Sequence, residues 1–554
     1  MSSRAPNLEI ARGTVLRPVA DVAASLGLDP DEVQPYGRHK AKIELSALER
    51  RASAPDGKLV CVTAITPTSA GEGKTTTAIS LADGLARVGA RPLLCLREPS
   101  LGPVFGIKGG GAGGGHAQIA PMEEINLHFT GDIHAIGAAN NLLAAMLEAH
   151  LMHGNSLGVD AHTVTWRRCL DMNDRALRQI VVGLGGRTNG SPRETGFDIT
   201  AASEVMAIVA VARDLADLRE RLGAITVAQS FDGEPVTAEQ LGAAGSMAVL
   251  LRDAIQPNLV QTLEGNPALV HCGPFGNIAH GNSSLVADLL GLKLADFVVT
   301  ESGFGSDMGF EKLADIVCRL GALEPAAVVV VATAKALKHH GGDPKGGLDA
   351  IERGAANLEA HLKIVREFGV EAVVAVNRFP GDTEEEVEAV RRLALELGAL
   401  AAERNEAPGR GGEGAAGLAE AVVEAASRPS RFEHLYELDA PLPAKIEAIA
   451  TRLYGADGVQ LSAAAAARLL ELERLGLDRL PVCMAKTQMS LSHDPSLTGA
   501  PSGFTLPVRD LRPYTGAGWV VALCGDMMTM PGLSARPAAL SIDLDEQGQT
   551  VGLF

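Results

Sequence analysis

The segment Lys58–Glu98, "KLVCVTAITPTSAGEGKTTTAISLADGLARVGARPLLCLRE", decides the fold. Its first part, "KLVCVTAIT", is a continuous apolar and β-branched run, as a parallel strand buried on both faces requires. "KTTTAISLADGLARVG" then places apolar residues at helical spacing and stops at a glycine. "RPLLCLRE" is a second buried-type strand, so the segment reads as one βαβ unit. The turn between strand and helix, "TPTSAGEGKTTTAIS" (Thr66 to Ser80), ends like a phosphate-binding loop at Gly73-Lys74-Thr75. It carries Thr68 where the general pattern has its first glycine. The strand–turn–helix context is nevertheless the one such a loop needs, because backbone N–H groups and the helix N-terminus face the same point. On this reading Thr68, Ser69, Ala70, Gly71, Glu72, Gly73, Lys74, Thr75 and Thr76 bind a nucleotide. Lys74 reaches the terminal phosphates and Thr75 ligates Mg²⁺.

Similar apolar runs recur along the chain: "RQIVVGLG", "PALVHCGPFG", "ADFVVTES", "AAVVVVATA", "VEAVVAVN" and "GWVVALCG". Amphipathic stretches such as "LDAIERGAANLEAHLKIVREFG" and "TEEEVEAVRRLALELG" lie between several of them. The alternation predicts an α/β fold with a mostly parallel sheet flanked by helices, with additional smaller α/β domains. The expected division is a large nucleotide-binding domain over 1–365, with an inserted region at about 140–260, a second domain over 366–470 and a C-terminal one over 471–554. "APGRGGEGAAG" (Ala407 to Gly417) reads as a glycine-rich loop.

A net charge of −18 disfavours nucleic acid or an anionic membrane as partner, and requires any anion site to gather its cations locally. The seven cysteines form no C-x-x-C pair, which fits buried thiols in a reducing cytoplasm. The opening "MSSRAPNLEIARG" lacks the apolar centre of a signal peptide, and "PAAVVVVATA" is too short to span a bilayer.

Ligands of parallel sheets bind at the carboxyl ends of strands. Arg97 and Glu98 fall there, and so do Lys335 and Lys338 in "ATAKALKHHGG". The glycine-rich stretch Gly106 to Gly115, with Lys108 and then His116, reads as a loop whose bare backbone closes on a ligand. At the end of "VVAVNRFPGDT", Asn377 and Asp382 are placed to read a base, and Phe379-Pro380 to form an apolar shelf. His128, Asp132 and His134 have a spacing compatible with metal ligation but lack a closed ligand set. The histidines of "VHCGPFGNIAHGNSS" and "KHHGG" read as hydrogen-bonded loop residues.

Taken together, "TPTSAGEGKTTT", "LREPSLGPVFGIKGGGAGGG", "HFTGDIHAI", "DMNDRALR", "RETGFDITAASEVMAI", "HCGPFGNIAHG", "ESGFGSDMGFEK", "VATAKALKHHGG", "LPVCMAKTQMSLSHDP" and "SGFTLPVRD" run in order across nearly the whole chain. In this the chain closely resembles the monofunctional formate–tetrahydrofolate ligases. The resemblance implies that formate, ATP and tetrahydrofolate are converted to 10-formyltetrahydrofolate, ADP and phosphate through formyl phosphate. It implies catalytic roles for Lys74, Arg97, Glu98 and Asp132. Arg175, Ser306, Thr333, Lys335 and Lys338 are implied around the nucleotide or the intermediate, and Phe379 and Pro380 at the folate. It further implies Mg²⁺, a monovalent cation (K⁺ or NH₄⁺), a homotetramer and no nucleic acid or membrane partner.

Two positions depart from the family pattern. Ala334-Lys335 stands where the family has Ile or Val followed by Arg, so an arginine fork becomes a point charge. Pro408 stands near the position where the family carries a tryptophan that stacks on the pterin, and no aromatic residue replaces it, a loss of about 1 kcal/mol in folate binding. They leave room for a different acceptor, or for a non-catalytic folate or nucleotide binder. The nucleotide loop taken alone would also suit a conformational-switch ATPase.

Overall fold

The computed structural model describes residues 7–68, 71–106 and 110–553. Ser69, Ala70 and Lys108 lie outside them. Among the described residues a mixed sheet of 12 strands organises the chain. In chain order its main members are β1 (Val33–Pro35), β2 (Ala41–Ile43), β3 (Lys58–Ala64), β4 (Pro92–Leu96), β5 (Ala117–Ala120), β6 (Asn258–Thr262), β7 (Pro267–Val270), β8 (Phe297–Glu301), β9 (Pro325–Ala332), β10 (Ala372–Asn377) and β11 (Ala401–Asn405). The spatial order is β1-β2-β6-β7-β4-β8-β3-β9-β10-β11, with β5 against β6. From β7 to β11 every pairing is parallel. β1, β2 and β6 add an antiparallel edge. β10 and β11, which the sequence reading puts in a second domain, continue this same sheet.

Both faces of the parallel strands are covered, which is why they read as unbroken apolar runs. Leu59 and Cys61 of β3 face one layer with α3 (Leu285–Leu294) and α5 (Leu348–Glu367). Val60, Val62 and Ala64 face the other, with α1 (Lys74–Arg87) and α7 (Ala416–Ser427). The stretch Ala407 to Gly417 is not an open loop. It forms a short helix, Ala407–Arg410, then a 3₁₀ turn, Gly411–Ala415, and the first residues of α7. Its glycines allow this because the turn lies on α1: a Cβ at Gly412 would stand 2.6 Å from the Asp83 side chain. Helix α6 (Glu384–Glu396) starts at Thr383, whose hydroxyl and the Glu386 carboxylate form a reciprocal capping box.

A third core joins α2 (Asp132–Met152) and much of the stretch 199–255 to a small C-terminal sheet. That sheet comprises β12 (Val482–Ala485), β13 (Asp510–Tyr514) and β14 (Trp519–Leu523). Its central strand β14 packs Trp519, Val521 and Leu523 into this core, while Val520 and Ala522 join the core around the main sheet. The run near residue 180 departs from expectation. Ile180–Val182 is half of a partly exposed antiparallel hairpin with Arg193–Thr195, too short and too polar-flanked to enter a buried sheet.

All seven cysteine thiols are buried and unpaired. Among the described residues no helix is long and apolar enough to cross a membrane.

Candidate active site

The turn after β3 leads straight into α1 through two glycines with left-handed backbone, Gly71 (φ +76°) and Gly73 (φ +80°). A side chain at Gly73 would also meet Asn377 Nδ2 at 2.9 Å. Glu72 is buried and turned inward. Its Oε1 accepts from the Thr68 N–H (2.8 Å) and hydroxyl (2.9 Å), and its Oε2 from Thr333 Oγ1 (2.7 Å). Thr333 in turn caps α4 (Ala334–His340) by accepting from the Ala336 N–H. Asn377 braces the turn rather than standing open to a base. Its Nδ2 donates to the Glu72 carbonyl (2.8 Å), and its Oδ1 accepts from Thr77 Oγ1 and Asn405 Nδ2. The side chains of the turn thus shape it and lead into the N-terminus of α1, which Lys74 heads and whose first N–H groups have no partner within the helix.

Thr75 and Arg97 meet on one carboxylate that the sequence reading did not single out. Glu301, at the carboxyl end of β8, accepts from Thr75 Oγ1 at 2.7 Å and lies 3.6 Å from Arg97 Nε. Glu301 is buried, and Arg97 is half-buried with Nε otherwise lacking a hydrogen-bond partner. β8 lies between β3 and β4, so the three chain segments arrive side by side. A hydroxyl and a carboxylate beside this helix N-terminus are hard oxygen donors suited to Mg²⁺.

Glu98 and Asp132 occupy a second cluster. Asp132 begins α2 and is paired with Lys42, which is 1% exposed, at 2.8 Å. Asn258 Nδ2 donates to the same carboxylate at 2.7 Å, and Lys42 also donates to Asn258 Oδ1 and to the Gln256 carbonyl. Asp132 is therefore fully engaged. Glu98 is buried, and its Oε2 has no hydrogen-bond partner. Burial pushes the Glu98 carboxyl well above the usual range; the Asp132 charge adds to this and Lys42 opposes it. Lys42 had no local signature, because it sits on a three-residue strand next to the sheet's edge, 90 residues from its partner.

The other expected residues are placed as follows. Ser306 is buried and holds His361 Nδ1 at 2.7 Å. Lys335 is exposed on the first turn of α4, close after Thr333. Lys338 pairs with Glu386 at 2.5 Å, which ties α4 to α6. Arg175 donates to the Leu533 carbonyl and so belongs, in the described contacts, to the C-terminal segment. Phe379 is half-buried, and its ring would stand 4.0 Å from a Cβ placed at Gly73; Asp382 closes the bend by accepting from the Phe379 N–H, and Pro380 is exposed. Pro408 is packed against the glycine-rich turn at Gly115, its carbonyl accepting from the His116 N–H.

His271 uses both nitrogens, on Ser284 Oγ and the Ala254 carbonyl, and burial pushes its ring down to about 4. Among the described residues no group of three or more metal-ligating side chains is assembled.

A glycine turn at the carboxyl edge of a parallel sheet, with a lysine, an arginine and buried carboxylates around it, defines an α/β enzyme acting on phosphate-bearing substrates. The comparisons with known proteins narrow this class. The family profile described as formate–tetrahydrofolate ligase matches residues 5–554. A formate–tetrahydrofolate ligase of Roseiflexus sp. is 55% identical over 560 residues, covering 99% of each chain. Those of Desulforamulus reducens and Saccharopolyspora erythraea are 53% and 55% identical, again over 99% of each chain. The chain belongs to the formate–tetrahydrofolate ligase family.

Proposed function

We propose that ligation proceeds through formyl phosphate at the site where Thr75 and Arg97 share Glu301, with Glu98 as the proton acceptor. The family's reaction is the ATP-dependent joining of formate to tetrahydrofolate in one-carbon metabolism. Formate is a poor electrophile, because its carboxylate has no good leaving group. Transfer of the γ-phosphoryl group to a formate oxygen converts that oxygen into part of a phosphate leaving group. N10 of the folate then attacks the formyl carbon, the C–O bond to phosphate breaks, and the amine proton is released.

Such phosphoryl transfer depends on positioning and charge neutralisation. Lys74 and the N–H groups of the turn hold the ATP phosphates, and Arg97 balances the charge of the transferring group. Thr75 and Glu301 would hold Mg²⁺, which supplies further charge neutralisation at the phosphates. Glu98 suits the second step. Burial raises its affinity for a proton, and its Oε2 is open, so it can take the proton from the attacking amine. Asp132, occupied by Lys42 and Asn258, orients rather than accepts. Thr333 acts through Glu72 on the turn, and Ser306 through His361. Lys335 is an exposed cation beside the site, and Phe379 with Pro380 offers the folate a shelf.

The observation that carries this reading is the shared Glu301 carboxylate, which brings the Thr75 hydroxyl and the Arg97 guanidinium to one point. Its test is isotopic. With ¹⁸O-formate the released phosphate should acquire one formate oxygen per turnover; unlabelled phosphate would exclude a formyl phosphate route.

The remaining expectations belong to the same reading. A monovalent cation stimulates the enzyme, and Arg175 with Lys338 helps to enclose the intermediate. The chain works as a cytoplasmic homotetramer, supported by its reduced thiols and by exposed Val181 and Leu184 on the hairpin. The region 366–470 completes the folate side of the site, and 471–554 forms the C-terminal unit.

A further inference from the structure

Thr66 ends the run from β3 into the phosphate-binding turn, and each of its polar atoms is engaged. Its N–H donates to Asn357 Oδ1 at 3.2 Å, and its carbonyl accepts from His340 Nε2 at 2.8 Å. Its hydroxyl accepts from Asn357 Nδ2 at 3.0 Å and lies 2.9 Å from His361 Nε2. Thr66, Asn357, His361 and His340 are all buried. The second nitrogen of His361, Nδ1, lies 2.7 Å from Ser306 Oγ.

Among the described contacts, one set of directions gives every proton of this chain an acceptor. In it Thr66 Oγ1 accepts from Asn357 Nδ2 and donates its own proton to His361 Nε2. Nδ1–H then donates to Ser306 Oγ, whose proton reaches the His361 carbonyl at 3.3 Å. The pattern needs a neutral imidazole, and burial supplies it by pushing the ring down to about 4.

Thr66 opens the turn that carries Lys74 and Thr75. Ser306 closes the loop that begins at Glu301. One imidazole therefore spans the two segments that meet where Thr75 donates to Glu301. We propose that His361 is a positioning residue for the nucleotide step, setting the spacing between the phosphate-binding turn and the Glu301 loop through Thr66 and Ser306. This rests on the reading of that junction as the nucleotide site.

His361→Asn keeps an amide near the Nδ1 position, facing Ser306, and gives up the reach to Thr66. Thr66→Val removes the other end of the same contact while keeping the side-chain volume. Losing one buried hydrogen bond of this kind should weaken Mg·ADP binding about tenfold in each variant. The double variant should be no weaker than Thr66→Val alone, because that variant already removes the contact to His361 along with the one from Asn357 Nδ2. The KM for tetrahydrofolate should stay within about twofold, where a loss of general packing would move every constant together. ADP titration by calorimetry needs no turnover, so it reads the proposal even if the ligase reading failed. Either of two results would overturn the proposal: ADP affinity unchanged in both singles, or equal losses for ADP and folate in step with a lower melting temperature.

Discussion

Replacing Lys42 by methionine perturbs the site at a residue remote from the nucleotide turn. The Lys42 ammonium contacts Asp132 at 2.8 Å and donates to Asn258 Oδ1 and the Gln256 carbonyl at 3.0 Å, all out of solvent. Removing one partner of a buried ion pair leaves an uncompensated charge and costs about 3–5 kcal/mol, whereas removing both is often close to neutral. Lys42→Met should therefore be destabilised by about that amount, and Lys42→Met combined with Asp132→Asn should recover most of it. A second readout follows from Glu98. Its carboxyl is held up first by burial, then by the Asp132 charge, and is drawn down by Lys42. Loss of Lys42 raises it further, so the acidic limb of the rate profile, which needs Glu98 deprotonated, moves to higher pH. Asp132→Asn alone moves that limb to lower pH. Urea titrations of the three variants give the stabilities, and product formation across pH gives the limbs. A Lys42→Met protein as stable as its parent, or a double variant no better than Lys42→Met, would refute the buried-pair argument.

Other consequences can be checked separately. Burial pushes the Asp83 carboxyl of α1 up to about 7. A carboxyl that holds its proton more tightly when folded stabilises fully below about pH 4 and loses that contribution as pH rises toward 7. Asp83→Asn should thus gain on its parent between pH 5 and 8, by at most about 4 kcal/mol; thermal melts showing no widening gap would contradict this. Lys74→Ala should abolish ligation and leave folate binding largely intact, and equal loss of both would mean the lysine is misplaced. Glu301→Gln keeps the shape but removes the charge shared by Thr75 and Arg97. It should lower kcat about a hundredfold and raise the Mg²⁺ needed for half-maximal rate; an unchanged Mg²⁺ requirement would remove Glu301 from the metal.

The parallel strands were legible because burial on both faces leaves no polar alternation to confuse them. Helix α6 was legible from its amphipathic spacing. β6, "NLVQT", was not, because an antiparallel strand with Asn258 and Gln261 buried by specific hydrogen bonds looks polar in sequence. The stretch near 180 misled in the other direction: a few apolar residues suffice to suggest a buried strand, and only tertiary packing decides against it. At the site, Lys74, Thr75, Arg97 and Glu98 stood out because strand ends of a parallel sheet converge. Lys42, Glu301 and His361 did not, because each acts on a partner 90 or more residues away. Asn377 had a visible position but a different task, since only the fold reveals that it reaches back to the turn.

The central claim, that this chain joins formate to tetrahydrofolate at the expense of ATP, has a direct measurement. The protein is incubated with ATP, Mg²⁺, formate and tetrahydrofolate, the mixture is acidified, and the absorbance of the methenyl derivative is read. The account predicts a signal that requires all three substrates and matches ADP release one for one. ADP released at the same rate without formate and folate, with no methenyl signal, would contradict it.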